Sequence, residues 1–337
     1  MRRAGWLAVA LLLALPALSG CHRLASSAAF VAEFLSGGRF RPLSAFTPAP
    51  TTRPLLASDG TRPVPLDLYR APGLAREPGL VLAHGLSPRG KDEPELVAAA
   101  RLLARVGFAV AVPTVEGLVT LRFRPEDKGA VRAAVDALWR EGHRPVAILG
   151  ISVGAGPALL AAAEPETAGR VSAVLALGGY ADSVELLRYT LTGAFAFDGH
   201  RGRQPVSPAA IALFVRANAD LVARAGTDLV DNRDPEAFDA LVARLPPETR
   251  RLLDDLSPAR ALPGLRAPLF LIHGRADPAV PFTESLRLER AARAAGVPVR
   301  LVLAGGVGHV EAGEHPGLGD LWSLAAAFHA FRVTAGG

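Results

Sequence analysis

Six short apolar runs punctuate the chain: Leu80–Ala83, Phe108–Val112, Val146–Leu149, Ala173–Leu177, Leu269–Ile272 and Leu301–Leu303. Each is too short for a helix and carries no polar interruption, which predicts strands buried on both faces. Most are separated by stretches with helical periodicity, at about Pro94–Val106, Pro125–Glu141, Val153–Ala163, Phe282–Ala295 and Leu318–Phe331. Buried strands alternating with helices predict an α/β fold, a doubly wound, mostly parallel sheet covered on both faces. Residues 54–71 alternate instead as two short strands around Asp59 and Gly60, a dipeptide that favours a tight hairpin.

One interval breaks the rhythm. Between Ala181 and Pro263 no strand-like run occurs, but Ala209–Ala225, Pro235–Leu245 and Thr249–Leu256 have helical character. A structureless loop of that length is improbable in a compact domain, so residues 182–262 are expected to form an inserted helical cap on a core of 55–181 and 263–337. Upstream, Phe30, Val31, Phe34 and Leu35 suit one or two amphipathic turns. Gly37, Gly38 and a Pro- and Thr-rich stretch to Pro54 then break the pattern, and 21–54 is expected to be a tether.

The first twenty residues have the layout of a signal peptide: Arg2 and Arg3, an apolar run from Trp6 through Leu18, then the small residues Ser19 and Gly20. The run falls short of the roughly 20 residues that cross a bilayer as a helix. Leu18, Ser19, Gly20 and Cys21 resemble the lipobox of bacterial lipoproteins. The resemblance implies that the Cys21 thiol is lipidated and becomes the mature N-terminus of an exported protein held to a bacterial membrane, with the outer membrane or cell surface as a destination. Cys21 is the only cysteine, so neither an intramolecular disulfide nor a thiolate metal cluster is possible.

Composition adds exclusions. The chain is 50% hydrophobic and 20% charged over 337 residues, which rules out a disordered protein. The net charge of +5 comes almost wholly from arginine, since Lys91 and Lys128 are the only lysines, and no Lys/Arg run of five occurs. No nucleic-acid partner is expected.

The chemistry gathers around Gly150, Ile151, Ser152, Val153 and Gly154, a G-x-S-x-G sequence between a predicted strand and a predicted helix. Such a sharp turn strains the backbone of its central residue, and Gly150 and Gly154 remove Cβ atoms that would collide. A serine hydroxyl is a weak nucleophile and needs a base, which in turn needs a carboxylate to hold its tautomer. Asp277 lies in the loop after the Leu269–Ile272 run, and His309 in the glycine-built turn after Leu301–Leu303. Both occupy carboxyl ends of predicted strands, where open α/β sheets hold their ligands.

With His84-Gly85, Gly150–Gly154, the segment His273–Pro281 and His309, the chain from Leu55 to Val333 resembles the α/β-hydrolase family, and within it esterases and dienelactone hydrolases. The resemblance implies a serine hydrolase with Ser152 as nucleophile, His309 as base and Asp277 as acid. It also assigns an oxyanion hole to the backbone N–H groups of Leu86 and Val153. The reaction expected is cleavage of a small-molecule carboxylic ester through an acyl-enzyme, with a peptidase, a thioesterase or a non-catalytic membrane-tethered binding protein as alternatives.

Rival roles are weaker. His84 precedes the nucleophile and is expected to order the oxyanion loop, His273 to make a buried hydrogen bond, and Asp182 to be a lesser candidate for the acid. His309, Glu311, Glu314 and His315 lie close in sequence but match no zinc-protease spacing. No metal site is expected, and with no phosphate-binding loop or dinucleotide fingerprint, no cofactor either. In the cap, Leu187, Tyr189, Phe195, Phe197, Phe214 and Phe238 suit either an apolar acyl pocket or packing of the cap on itself.

Overall fold

The computed structural model describes residues 22–73, 77–305, 308 and 317–336. Its centre is an eight-stranded sheet of β1 (Thr51–Ser58), β2 (Pro63–Arg70), β3 (Gly79–Ala83), β4 (Ala109–Pro113), β5 (Val146–Ile151), β6 (Val171–Leu177), β9 (Leu269–Gly274) and β10 (Val299–Ala304). The order is β1-β2-β4-β3-β5-β6-β9-β10. β1 and β2 are antiparallel, and the six strands from β4 to β10 run parallel. All six apolar runs are strands of this sheet, which is the α/β architecture expected from their alternation with helices.

The hairpin turns where the Asp59-Gly60 pair predicts. Gly60 takes φ +98°, and Asp59 Oδ1 accepts from the N–H groups of Thr61 and Arg62 at 2.8 and 2.7 Å. Along β3, side chains alternate between the two faces: Leu80 and Leu82 join one core, Val81 and Ala83 the other. Helices Lys128–Arg140, Ala155–Ala162 and Thr283–Ala294 cover the first side, where Val135, Ala158 and Leu288 are buried with Val81. Helices Pro94–Arg105 and Leu318–Thr334 cover the second, where Leu103 and Phe331 are buried with Leu82.

A third helix, residues 22–35, completes that second layer where a tether was expected. Phe30, Val31 and Leu35 are buried in the core, and the Phe30 ring stacks on Phe328 with centroids 4.1 Å apart. The guanidinium of Arg332, itself buried, donates to Arg23 O and to Ser26 Oγ at 2.6 Å. The four apolar residues share one helical face, and that face has a partner only once the C-terminal helix is in place. The signal is therefore tertiary. At the other end of the segment expected as a tether, residues 51–54 begin β1.

Between β6 and β9 the chain forms helices Ser183–Thr192, Pro208–Ala217, Ala219–Ala225, Thr227–Asp231, Pro235–Ala243, Pro247–Asp255 and Pro258–Ala261. It also forms a short antiparallel hairpin of β7 (Ala194–Phe197) and β8 (His200–Arg203), which the sequence reading did not foresee. Leu191, Ile211, Leu229, Phe238, Leu245 and Leu253 make a small core of its own. Entry and exit are stitched together: Tyr180 Oη donates to Leu256 O at 2.9 Å, Ser183 N to Ser257 Oγ at 3.0 Å, and Ala259 N to Ala181 O at 3.0 Å.

Glu284 sits under this junction, 1% exposed, with Oε2 accepting from the N–H groups of Ala181 and Asp182 at 3.0 Å each. Arg287 Nε lies 3.1 Å from Oε1. Burial nevertheless pushes the carboxyl up from its usual 4.5 to about 7. The folded protein thus holds this proton to higher pH than the unfolded chain does. The resulting stabilisation is complete below pH ~4.5 and is lost as pH rises towards about 7, with an upper bound of about 3 kcal/mol. Melting curves should show that Glu284→Gln flattens the decline in stability between pH 5 and 7; parallel wild-type and variant profiles would contradict this account.

Candidate active site

Strand β5 ends at Ile151, and Ser152 turns the chain into the helix Ala155–Ala162 with φ +55°, a left-handed conformation rare for a residue with a side chain. The turn depends on its glycines. A Cβ on Gly150 would stand 2.5 Å from Ala155 Cα, and one on Gly154 would overlap the carbonyl oxygen of His84. These are the close approaches that the G-x-S-x-G pattern anticipates.

The turn after β3 lies against this elbow because β3 pairs with β5 and Ala83 is opposite Gly150. Two residues on, Gly85 comes level with the serine: a Cβ added there would be 3.2 Å from Ser152 Cβ and 3.6 Å from Oγ. His84 holds the turn in shape. Its Nε2 accepts from Val115 N–H at 3.0 Å, so Nδ1 carries the proton and donates to Gly85 O at 2.7 Å. Burial lowers the affinity of this imidazole for a second proton. Its geometry is that of a neutral strut beside the nucleophile. The Leu86 N–H, one of the two assigned oxyanion donors, bonds to no described residue. Val153 is the middle residue of the short turn Ser152–Gly154, its side chain buried.

Asp277 follows β9, two strands from β5, and is 1% exposed. Its Oδ1 accepts from the N–H groups of Ala279 and Val280 at 2.8 and 2.9 Å. His273 Nε2 donates to Val280 O at 2.9 Å and lies 3.3 Å from Asp277 Oδ2, while Nδ1 meets Ser285 Oγ at 2.7 Å. This fully buried histidine braces the loop that carries the aspartate. Asp182 is engaged elsewhere, capping helix Ser183–Thr192 by accepting from Val184 and Glu185 N–H. His309, Glu311, Glu314, His315 and Cys21 lie outside the described residues.

Ser152 opens onto a cleft of about 1550 Å³ between core and cap. Leu187, Tyr189 and Phe214 of the cap line it, whereas Phe238 is buried within the cap and Phe195 packs edge-on against Tyr189 and Phe282. Phe197 lies under the guanidinium groups of Arg287 and Arg290. Three of the six cap residues thus line the cleft and Phe238 packs the cap on itself, while Phe195 and Phe197 take neither role alone and dock the cap on Phe282, Arg287 and Arg290 of the core. Sequence reasoning missed Phe123, Val206 and Leu256 in the same lining, and also Glu33 to Arg39, Arg41 and Ser44. Their only sequence signal is the apolar face of the helix that precedes them.

Comparison with solved structures defines the fold. The acylaminoacyl peptidase of Pyrococcus horikoshii superposes with a TM-score of 0.55 at 17% identity, over 86% of this chain and 42% of that one. A dienelactone hydrolase of Anabaena variabilis gives 0.51 at 20% identity, over 85% and 98%. A puromycin-hydrolyzing peptidase of Mycobacterium tuberculosis gives 0.53 at 21%, over 85% and 40%. The chain spans less than half the length of the two peptidases. The fold is the α/β-hydrolase fold. More particularly, residues 229–324 match the sequence pattern of the prolyl oligopeptidase family, a stretch that contains Asp277 and His309 but not Ser152. No curated protein matches the chain in sequence.

Proposed function

We propose that the protein is a serine hydrolase that cleaves a carboxylic ester through an acyl-enzyme on Ser152. The observation that carries this reading is the strained serine at the mouth of a large cleft, with the β3 turn pressed against it and a buried, amide-held carboxylate after β9. In the proposed reaction Ser152 Oγ attacks the carbonyl carbon and its proton passes to His309, five residues beyond the end of β10, the neighbour of β9. The Leu86 and Val153 N–H groups receive the charge that develops on the carbonyl oxygen, each such donor contributing about 2.7–4 kcal/mol in the transition state. The imidazolium protonates the departing alcohol. Water then repeats the sequence on the acyl-enzyme and frees the acid.

The partial match to the prolyl oligopeptidase family favours a second reading, hydrolysis of a peptide or an acylated amino acid by the same residues. A fluorophosphonate probe tests the shared chemistry, because it labels an activated serine and leaves an inert one unmodified. Nitrophenyl esters of rising acyl length, set against aminoacyl nitroanilides, separate the two substrates.

The described residues contain no helix long and apolar enough to cross a membrane. We infer that a lipidated Cys21 attaches the protein to a bacterial membrane, on the strength of the lipobox resemblance. Because helix 22–35 packs directly on the core, an anchor at residue 21 would leave almost no slack between membrane and enzyme. Cys21→Ala should move the protein from the membrane pellet to the soluble fraction; retention in the pellet would overturn the inference.

A further inference from the structure

The cleft is larger than the roughly 300–1,000 Å³ that encloses a typical small ligand, which leaves room for both halves of an ester. Its lining is of two kinds. Under the cap the walls are apolar, with Leu187, Val206, Phe214, Leu253 and Leu256. Another part of the wall is supplied by the segment that follows helix 22–35, together with helix Pro94–Arg105, and it carries four arginines: Arg39, Arg41, Arg101 and Arg105.

None of the four has a carboxylate within ion-pair distance among the described residues. Arg105 is taken up by the carbonyl oxygens of Thr47 and Pro48. Arg39 and Arg41 use only Nε, donating to Ser36 O at 3.1 Å and Gly38 O at 2.9 Å, which steers each guanidinium while leaving its outer nitrogens available. Arg101 is exposed and makes no hydrogen bond to a described residue. Of the three acidic residues in this part of the lining, two are occupied. Glu33 is buried and accepts from Leu43 N, Ser44 N and Ser44 Oγ, and Glu93 accepts from Ser87 Oγ. Only Glu95 stands open among the arginines.

The bonds of Glu33 also explain why the arginines are where they are. They pull residues 43 and 44 back onto the helix, so the intervening turn, with Gly37 and Gly38 at φ +58° and +74°, joins the cleft wall and carries Arg39 and Arg41 with it. Guanidinium groups of this kind suit carboxylate or phosphate oxygens, for which their planar fork supplies paired donors.

We propose that the preferred substrate is an ester with one apolar half, held under the cap, and one half bearing an anionic group, held by Arg39, Arg41 and Arg101. This deepens the serine-hydrolase reading and rests on it. Two substrate pairs locate the charge: 4-(butanoyloxy)benzoate against its neutral methyl ester places it on the leaving group, and nitrophenyl monoglutarate against nitrophenyl butyrate places it on the acyl group. In one pair the ratio of kcat/KM, charged over neutral, should fall about tenfold in Arg39→Gln/Arg101→Gln and by a similar factor in 0.5 M salt. The corresponding double lysine variant should retain part of the preference. Ratios unchanged by the double glutamine variant in both pairs would overturn the proposal while leaving the hydrolase intact. Loss of all turnover together with absence of Ser152 labelling in the wild type would instead remove the underlying reading, and the substrate proposal with it.

Discussion

Replacing Ser152 by alanine should lower kcat on a nitrophenyl ester by about 10⁶-fold and abolish labelling by a fluorophosphonate. The size of the effect follows from the loss of the atom proposed to form the acyl-enzyme; what would survive is the weaker assistance of bound water and oxyanion donors. The substitution is mild structurally. Alanine keeps the Cβ that faces Gly85, and it inherits the same left-handed backbone, held in place by β5 and the helix that follows. The melting temperature should therefore move by only a few degrees, and the variant should still bind substrate. A variant that retained appreciable turnover, with contamination excluded by its own active-site titration, would end the acyl-enzyme proposal.

The fold was legible because its signals are local. Each apolar run from Leu80 to Leu303 is a strand of the sheet, and the glycines of the elbow announce both the strand before and the helix after. Ser152 and Asp277 could be placed at strand ends for the same reason. The helix 22–35 was harder, since its apolar face makes sense only against Phe328, some 300 positions away. Its amphipathic turns could be read at Phe30–Leu35, but not their partner, and the part of the cleft wall carried by residues 33–44 follows from that partner. The β7–β8 hairpin also escaped notice. Its strands are four residues each and β8 is His-Arg-Gly-Arg, with no apolar alternation to mark it. What stabilises that hairpin lies outside it: Phe195 packs on Tyr189 and Phe282, and Arg287 donates to Ala196 O. Where a residue's partner is near in sequence the pattern betrays it, and where the partner arrives by tertiary folding the pattern is silent.

Asp277→Asn should cost about 10⁴-fold in kcat with little change in fold. The argument turns on which way the new amide must point. Oδ1 of Asp277 accepts two backbone N–H groups, from Ala279 and Val280, so an asparagine can keep those bonds only by leaving its oxygen there. Its NH₂ must then take the Oδ2 position, where His273 Nε2 already brings an N–H to within 3.3 Å. A donor now stands where an acceptor is needed. If His309 is the base, its ring can no longer donate to residue 277, the tautomer that leaves the other nitrogen free to take the serine proton is disfavoured, and the imidazolium loses its counter-charge. Asp277→Ala distinguishes this from simple loss of structure, since it also removes the acceptor for both amides and should lower the melting temperature further than the asparagine does. Steeper or altered pH dependence of kcat/KM in the asparagine variant would mark the effect as electrostatic. A loss of less than about tenfold would show that Asp277 only braces its loop and that the base is oriented by another group.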